Sequence, residues 1–401
     1  MDRRIYWVWL QQSLPLGSTV LNRLFEHFED IEAVYAADVK QLKALPLRPD
    51  DVKNLSNKSL TRARRILKDV QDLGGAVMTP DDARYPNALR HIAGFPAVLY
   101  VQGDFPNVNA LPTIGVVSTR DISEEGEKLT FGMAAGLAAA GMIVVSGGAK
   151  GGDAAAHNGA MYADGKTVLV KAAPLDVEYP LVNKQLRQDI LNGRGAIVTE
   201  FEPASQGYRD YHVRNRLISG MSVGVCITEA PKRSGTIITA NLAREQGREV
   251  FAVPGSVLDG RHDGAHDQIR QGAILVSSAV NIVDEYLPRF PGLLDRDAAI
   301  QAETAIRKRI FKKAVVEERE PRVAVADKKP ETMQTTVICP EEASAEAKRL
   351  FTFLSATPCP VDALAKNAAL SSRDVLILLT ELELFGCVEN TAGQQYKLVT
   401  Q

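Results

Sequence analysis

Cysteine is scarce in this 401-residue chain: Cys226, Cys339, Cys359 and Cys387 lie apart, with no C-x-x-C spacing and no histidine set that completes a zinc pattern. That speaks against a disulfide framework and a metal site, and points to reduced thiols in a cytoplasmic protein. Long apolar runs are also missing. Ile5 to Leu10 follows Arg3 and Arg4 but is too short for a signal-peptide core, no cleavage site of small residues follows it, and no later run approaches a membrane span. Excess charge is absent too. A net charge of −2 excludes nucleic-acid binding over the whole surface, so any such binding needs a local basic patch.

What is present is a glycine-rich hairpin, Met142 to His157, reading MIVVSGGAKGGDAAAH. Apolar residues to Val145 give a strand, Ser146-Gly147-Gly148-Ala149-Lys150-Gly151-Gly152 a tight loop, and the alanines a helix. Glycine lets backbone N–H groups approach an anion, and the helix N-terminus adds partial positive charge, so phosphate is the natural guest. The spacing fits neither G-x-G-x-x-G nor the Walker pattern, which argues against dinucleotide binding and NTP hydrolysis. A bare βα turn without ligand is the plain alternative.

Length suggests two or three domains, and 45% hydrophobic residues suffice for a sizeable core. Residues 1–75 read as a small helical module. Leu14, Leu16, Val20, Leu21, Leu24 and Phe28 recur at helical spacing, Ile31 to Tyr35 starts another helix, and Ala63 to Leu73 makes a third. Pro15-Leu16-Gly17 and Leu45-Pro46-Leu47 suit a SAM or helix-hairpin-helix module, though packing alone accounts for the pattern equally well. From Ala76 strands and helices alternate to about residue 288, which predicts an α/β core with a parallel sheet covered by helices on both faces. Residues 289–340 mix alanine, proline and charge and read as a linker with room for one exposed helix. Residues 341–401 read as three helices and a hairpin around Ala392-Gly393, a winged helix. Its third helix carries Arg373 but also Asp374, Glu381 and Glu383, so a protein contact suits it as well as a DNA groove.

Ligands of such sheets sit at the carboxyl ends of the strands. There the sequence places Ser118, Thr119 and Arg120; Ser146, Gly147, Lys150 and Gly151; Lys171; and Glu229, Lys232, Arg233, Ser234, Gly235 and Thr236. Tyr208, Tyr211, His212, Arg214, Asn215 and Arg216 precede or open the helix beside them. A lone exposed cation is usually just a solvated charge; a shared rim of cations, hydroxyls and glycines is a candidate phosphate trough. With tyrosines beside it, such a trough suits single-stranded DNA, whose phosphates meet cations and amides while its bases stack, with Tyr211 as the candidate.

Ser146-Gly147 through Asp153 and His157, Leu175-Asp176 through Tyr179-Pro180 and Asn183, Val213-Arg214-Asn215-Arg216, Glu229 through Thr239-Ala240, Val253-Pro254-Gly255 and Gln271-Gly272-Ala273 come in one order. In that order they resemble the DNA-processing DprA/Smf family, over about residues 14–285 and more loosely the winged helix. The resemblance implies a Rossmann-like core that binds single-stranded DNA, helps load RecA on it in natural transformation, forms a homodimer, and has no catalytic residue or cofactor. It assigns DNA contacts to Arg120, Lys150, Lys184, Arg214 and Arg216, and dimer contacts to His266, Ile269 and Leu275. Four departures stand out: Ser118 opens a turn that is Gly-Ser-Arg in the family, Gly148 and Gly152 replace Leu and Ile, Lys171-Ala172-Ala173-Pro174 replaces a glycine-containing loop, and Leu181 sits where a lysine can follow Tyr-Pro.

A rival class is a nucleotide-binding or nucleotide-hydrolysing Rossmann protein, either a phosphoribohydrolase or a nucleotide sensor in defence. Phosphoribohydrolases place a catalytic Glu on the helical turn after Gly-Thr, whereas Gly235-Thr236 is followed by Ile237, Ile238, Thr239 and Ala240. Glu229 and Asp153 are the carboxylates left to substitute for it.

Overall fold

The structure is a computed structural model that describes residues 2–205, 211–319, 343–355, 357–385, 387–391 and 395–399. Tyr208, Cys339, the segment 321–340 and the Ala392-Gly393 turn lie outside them. The chain forms two compact units, one up to Arg319 and one from Glu320.

Six helices open the first unit: α1 (Arg4–Ser13), α2 (Val20–His27), α3 (Ile31–Ala36), α4 (Val39–Lys43), α5 (Pro49–Ser56) and α6 (Thr61–Asp72). The Ile5 to Leu10 run is therefore a core helix. Trp7, Val8, Trp9 and Leu10 are all buried, with Trp7 stacked on Phe25 at 4.9 Å and Trp9 edge-on to Tyr35 at 5.0 Å. Only Arg4, Tyr6 and Gln12 of this helix are not buried, so its polar face is narrow and its apolar residues run consecutively. These helices share one hydrophobic core with the sheet that follows.

The sheet has nine strands: β1 (Ala76–Met78), β2 (Leu99–Gly103), β3 (Thr113–Val117), β4 (Ile143–Ser146), β5 (Thr167–Val170), β6 (Gly195–Thr199), β7 (Gly224–Ile227), β8 (Glu249–Ala252) and β9 (Ile274–Leu275). Their order is β1-β2-β6-β5-β4-β3-β7-β8-β9. The core is parallel, but β1 pairs with β2 and β2 with β6 in antiparallel fashion, so the expected all-parallel sheet holds only from β6 to β9. Every residue of β3, β4, β5, β6 and β7 is buried, as two covered faces require.

Helices α7 (Glu124–Ala139), α8 (Gly152–Tyr162), α9 (Lys184–Asp189), α10 (Tyr211–Met221), α11 (Gly235–Glu245), α12 (Asp263–Arg270) and α13 (Ala279–Tyr286) occupy the connections. The chain steps outward from β3 to β6 and returns to lay β7 against β3, which opens a crevice between their carboxyl ends. Residues expected as linker form α14 (Arg296–Arg319), which is not fully exposed: Ala299 and Ile306 are buried, and Glu303 accepts a hydrogen bond from the Ala279 amide. Ala299 and Ile306 lie two turns apart, a stripe too thin to stand out among the charges. No helix of the described residues is long and apolar enough to cross a membrane.

The second unit is a winged helix. Helices α15 (Ala345–Phe351), α16 (Val361–Ala368) and α17 (Ser372–Leu384) pack around Ala347, Leu350, Leu364, Val375, Leu379 and Leu382. A sheet in the order β10-β12-β11 closes it, with β10 (Cys359–Pro360), β11 (Val388–Thr391) and β12 (Gln395–Leu398).

Candidate nucleic-acid interface

Two loops meet at the crevice with almost no side chain between them. Gly151, at φ +82°, lies so close to the turn after β3 that a Cβ there would stand 2.6 Å from the Arg120 carbonyl oxygen. A Cβ on Gly152 would stand 2.1 Å from that of Ser118, and one on Gly148 2.7 Å from Leu169. Two of the family departures thus answer each other: serine at 118 fills the space that glycine at 152 leaves. The turn is fastened to the end of β7, where Ser118 Oγ donates to the Glu229 carbonyl at 3.0 Å and the Thr119 amide to the same oxygen at 2.9 Å. Asn183 staples the glycine loop, its amide donating to the carbonyls of Gly148 at 3.0 Å and Ala149 at 2.9 Å.

A cavity of about 510 Å³ opens between this turn and the N-terminal ends of α10 and α11, and a hollow of about 70 Å³ lies over the glycine loop. They share Arg120, Ala149, Tyr211 and Arg214 as a common wall. Ser118, Thr119, Asn215, Ser234, Gly235 and Thr236 line the larger space; Gly147, Lys150 and Lys171 line the smaller. Arg120 and Lys150 are exposed, and the Arg120 guanidinium lies 4.4 Å from the centre of the Tyr211 ring. Tyr211 Oη donates to Tyr179 Oη at 3.1 Å, which orients the ring. Ser234 caps α11, its Oγ accepting from the Thr236 amide at 3.2 Å, and leaves exposed Gly235 at the helix start.

The basic residues divide by role. Arg214 is buried, and its Nη1 donates to the carbonyls of Gly147 at 2.5 Å and Val170 at 2.6 Å while Nε donates to Asn215 at 2.9 Å. It clamps two strand exits together while lining both spaces. Burial lowers its pKa, with Asp153 opposing; burial raises that of Asp153, with Arg214 and the Ala149 amide opposing. Arg216, two residues on, faces elsewhere on α10, where its Nη2 meets Glu200 at 2.6 Å and 2.7 Å. Lys171 is buried with Nζ donating to the Leu175 carbonyl at 3.2 Å, and burial pulls its pKa to about 8.

The structure does not bring five expected residues into either space. Ser146 is fully buried, bonded to the Val116 carbonyl at 2.7 Å; Gly151 packs behind the Arg120 turn; Arg216 is paired away from it. Lys184 is exposed on α9, and Lys232 stands 3.8 Å from Asp267. Sequence reasoning placed Arg233 at its strand exit without assigning it a contact, and it is exposed and lines the larger cavity one residue from Lys232; what the sequence did not show is Asn183 as the staple. Both lie inside blocks already marked by motif.

Of the two carboxylates considered for catalysis, Glu229 lines neither space, and Asp153, buried on the wall of the larger one, is tied to the glycine loop. Glu229 is fully buried and accepts from the Ser123 amide and hydroxyl, while Asp153 accepts from the Ala149 amide at 3.2 Å. His266 and Ile269 on α12 are half-buried, and Leu275 on β9 is 54% exposed at the open sheet edge beside Ile274.

A sequence model described as DNA recombination-mediator protein A matches residues 76–287, and one described as DprA winged helix domain matches 339–394. The chain is 29% identical to Protein Smf of Synechocystis over 99% of both chains. It is 40% identical to the DNA processing protein DprA of Streptococcus pneumoniae over 51% of this chain and 72% of that one. The X-ray structure of the Streptococcus pneumoniae protein superposes with a TM-score of 0.61 at 31% identity, over 71% of this chain and 98% of that one.

Proposed function

The chain belongs to the DNA recombination-mediator protein A family, and from that membership we propose that its two-part trough holds single-stranded DNA without cleaving it. The family sets the class of activity, DNA processing in recombination. What carries the finer assignment is the Arg120 guanidinium stacked on Tyr211 at the wall both spaces share, with Lys150 on one side and Arg233 and the start of α11 on the other. Exposed Arg120, Lys150 and Arg233 take phosphates, as does the Gly235 amide. The planar Arg120–Tyr211 pair offers a face to a base, and such stacking contributes about 1–3 kcal/mol per base without reading sequence. A duplex hides its base faces, so single strands are preferred. Glu229 lines neither space and accepts from Ser123, and Asp153 on the wall of the larger one is held to the glycine loop by the Ala149 amide, which favours a bracing role over acid–base work.

Two further parts of the proposal come from the family. The strand is handed to RecA, and two copies associate through the β9 edge, where Ile274 and Leu275 are exposed beside half-buried Ile269. An open edge strand with apolar side chains is a surface that a second copy can cover.

Gel-shift titration with single- and double-stranded oligonucleotides at two salt concentrations, with and without RecA, tests the whole. Expected are tighter binding to single strands, affinity that falls with salt, and loss of both for a folded Arg120→Glu protein. Undiminished binding by that variant overturns the DNA assignment. Leu275→Glu is expected to halve the mass seen in sedimentation velocity.

A further inference from the structure

One rim of the smaller hollow is apolar. Tyr179 and Pro180 line the hollow, and Asn183, three residues on, donates to the Gly148 and Ala149 carbonyls of the loop that forms its other wall. Between these two attachments the chain makes a single tight turn, Leu181–Asn183, whose first two side chains stand in solvent: Leu181 is 73% and Val182 67% exposed. The turn is firmly held. The Asn183 main-chain N–H donates to the Pro180 carbonyl at 3.1 Å, and the same carbonyl accepts from Nη1 of buried Arg187 at 2.9 Å. Cations adjoin the apolar pair. Exposed Lys184 follows the turn directly, and exposed Lys150 lies on the loop to which Asn183 is bonded. The carboxylates nearby are engaged: Glu178 pairs with Arg187, and Asp176 accepts from the Ala204 amide at 2.9 Å.

We propose that Leu181 and Val182 form an apolar step of the trough, on which bases of the single strand lie as it leaves the smaller hollow, and that Lys184 takes a phosphate beyond the step. This rests on the DNA-binding assignment above and adds a second base-binding surface to the Arg120–Tyr211 pair. The occupant follows from continuity and charge. A strand whose phosphates sit in the hollow runs over its rim, and there it presents flat apolar base faces beside an anionic backbone, the complement of two aliphatic side chains beside lysines. A duplex turns its base faces inward and gains nothing from the step, so the step adds to the preference for single strands. Contact between an aliphatic side chain and a base releases no counterions, so this part of the affinity does not fall with salt. Leucine in place of the lysine that can follow Tyr-Pro thus exchanges a salt-sensitive contact for a salt-resistant one.

The experiment uses the full chain and two fluorescein-labelled strands of equal length, an oligothymidylate and an abasic strand, read by anisotropy over a series of salt concentrations. Both side chains are exposed, so the variants are expected to fold as the parent does. The Leu181→Ser, Val182→Ser double variant is expected to bind oligothymidylate about fivefold or more weaker, with the parental salt slope, and to bind the abasic strand as the parent does. Lys184→Gln is expected to lower the salt slope by about 0.7 on both strands, and Leu181→Lys to raise it by a similar amount. Parental affinity of the double variant for oligothymidylate overturns the step, and so does an equal loss on the abasic strand, which a merely structural change would produce. Unchanged DNA affinity with a lower mass in sedimentation velocity marks a surface between copies and overturns it too. An unchanged slope in Lys184→Gln overturns the phosphate contact beyond the step. A parent that binds neither strand defeats the functional assignment instead, so the two failures are distinct.

Discussion

Substituting Gly152 by alanine brings the new Cβ to 2.1 Å from Ser118 Cβ and 2.7 Å from Ser118 Oγ. Carbon atoms pack at about 3.5–4.0 Å, so the start of α8 or the turn after β3 must retreat by more than 1 Å, roughly the difference of those distances. Both are fixed, the turn by Glu229 and the helix start by the Gly152 amide donating to the Thr119 carbonyl at 3.2 Å. Overpacking of this kind costs about 1–3 kcal/mol. Alanine regains up to about 1 kcal/mol of helix propensity, less in the first turn, so a net loss of about 1–2 kcal/mol is expected. Ser118→Gly has a cost of its own, since two hydrogen bonds with Glu229, at 3.0 Å and 3.2 Å, disappear, worth about 1–2 kcal/mol together. In that background the clash partner is gone and Gly152→Ala becomes neutral. Urea unfolding of the four proteins should give a compensating coupling of about 1–2 kcal/mol. DNA affinity should fall in Gly152→Ala and recover in the double variant, because the displaced turn carries Arg120. Effects that add to within about 0.5 kcal/mol would refute the claim that these two positions share one space.

Arg214→Met should lower stability by about 3–5 kcal/mol in urea unfolding, because it strands buried Asp153 and frees two carbonyls, whereas Arg120→Ala should weaken DNA binding with little change in stability. With a folded-state pKa of about 8, below that of an unfolded lysine, Lys171 makes the folded state favour the neutral amine. Its contribution is full above the unfolded pKa and is lost as pH falls towards about 8, so stability should rise with pH through that window in the parent and less in Lys171→Met. Lys58 Nζ is buried with no hydrogen-bond acceptor among the described residues, 4.8 Å from the Trp9 ring and 5.5 Å from that of Tyr35, so Lys58→Met should leave the melting temperature unchanged or raise it.

How far a sequence reveals such a site depends on what each residue type commits to. The strand exits were legible because a β-run that ends in glycine, hydroxyl or cation has few other meanings; β3 and β5 end where that pattern puts them, and β4 and β7 end one residue later and one earlier. The parallel core was legible from alternation, but the antiparallel pairing of β1 and β2 was not, since strand direction leaves no mark on three to five residues. Charge was legible as charge and no further. Arg120, Arg214 and Arg216 look alike in a string, yet one is exposed over Tyr211, one is enclosed by main-chain carbonyls, and one is neutralised by Glu200. The difference lies in partners up to 67 residues away along the chain. It is also what makes the trough work. A guanidinium held by carbonyls of two crossover units keeps the glycine loop and the β5 exit in register, and only on such a wall does an exposed arginine have a fixed place from which to meet a phosphate. Arg214 and Arg216 of the Arg-Asn-Arg block thus build or flank the wall, and the cations proposed above to face the strand lie on the loops that the wall supports, at 120, 150 and 233.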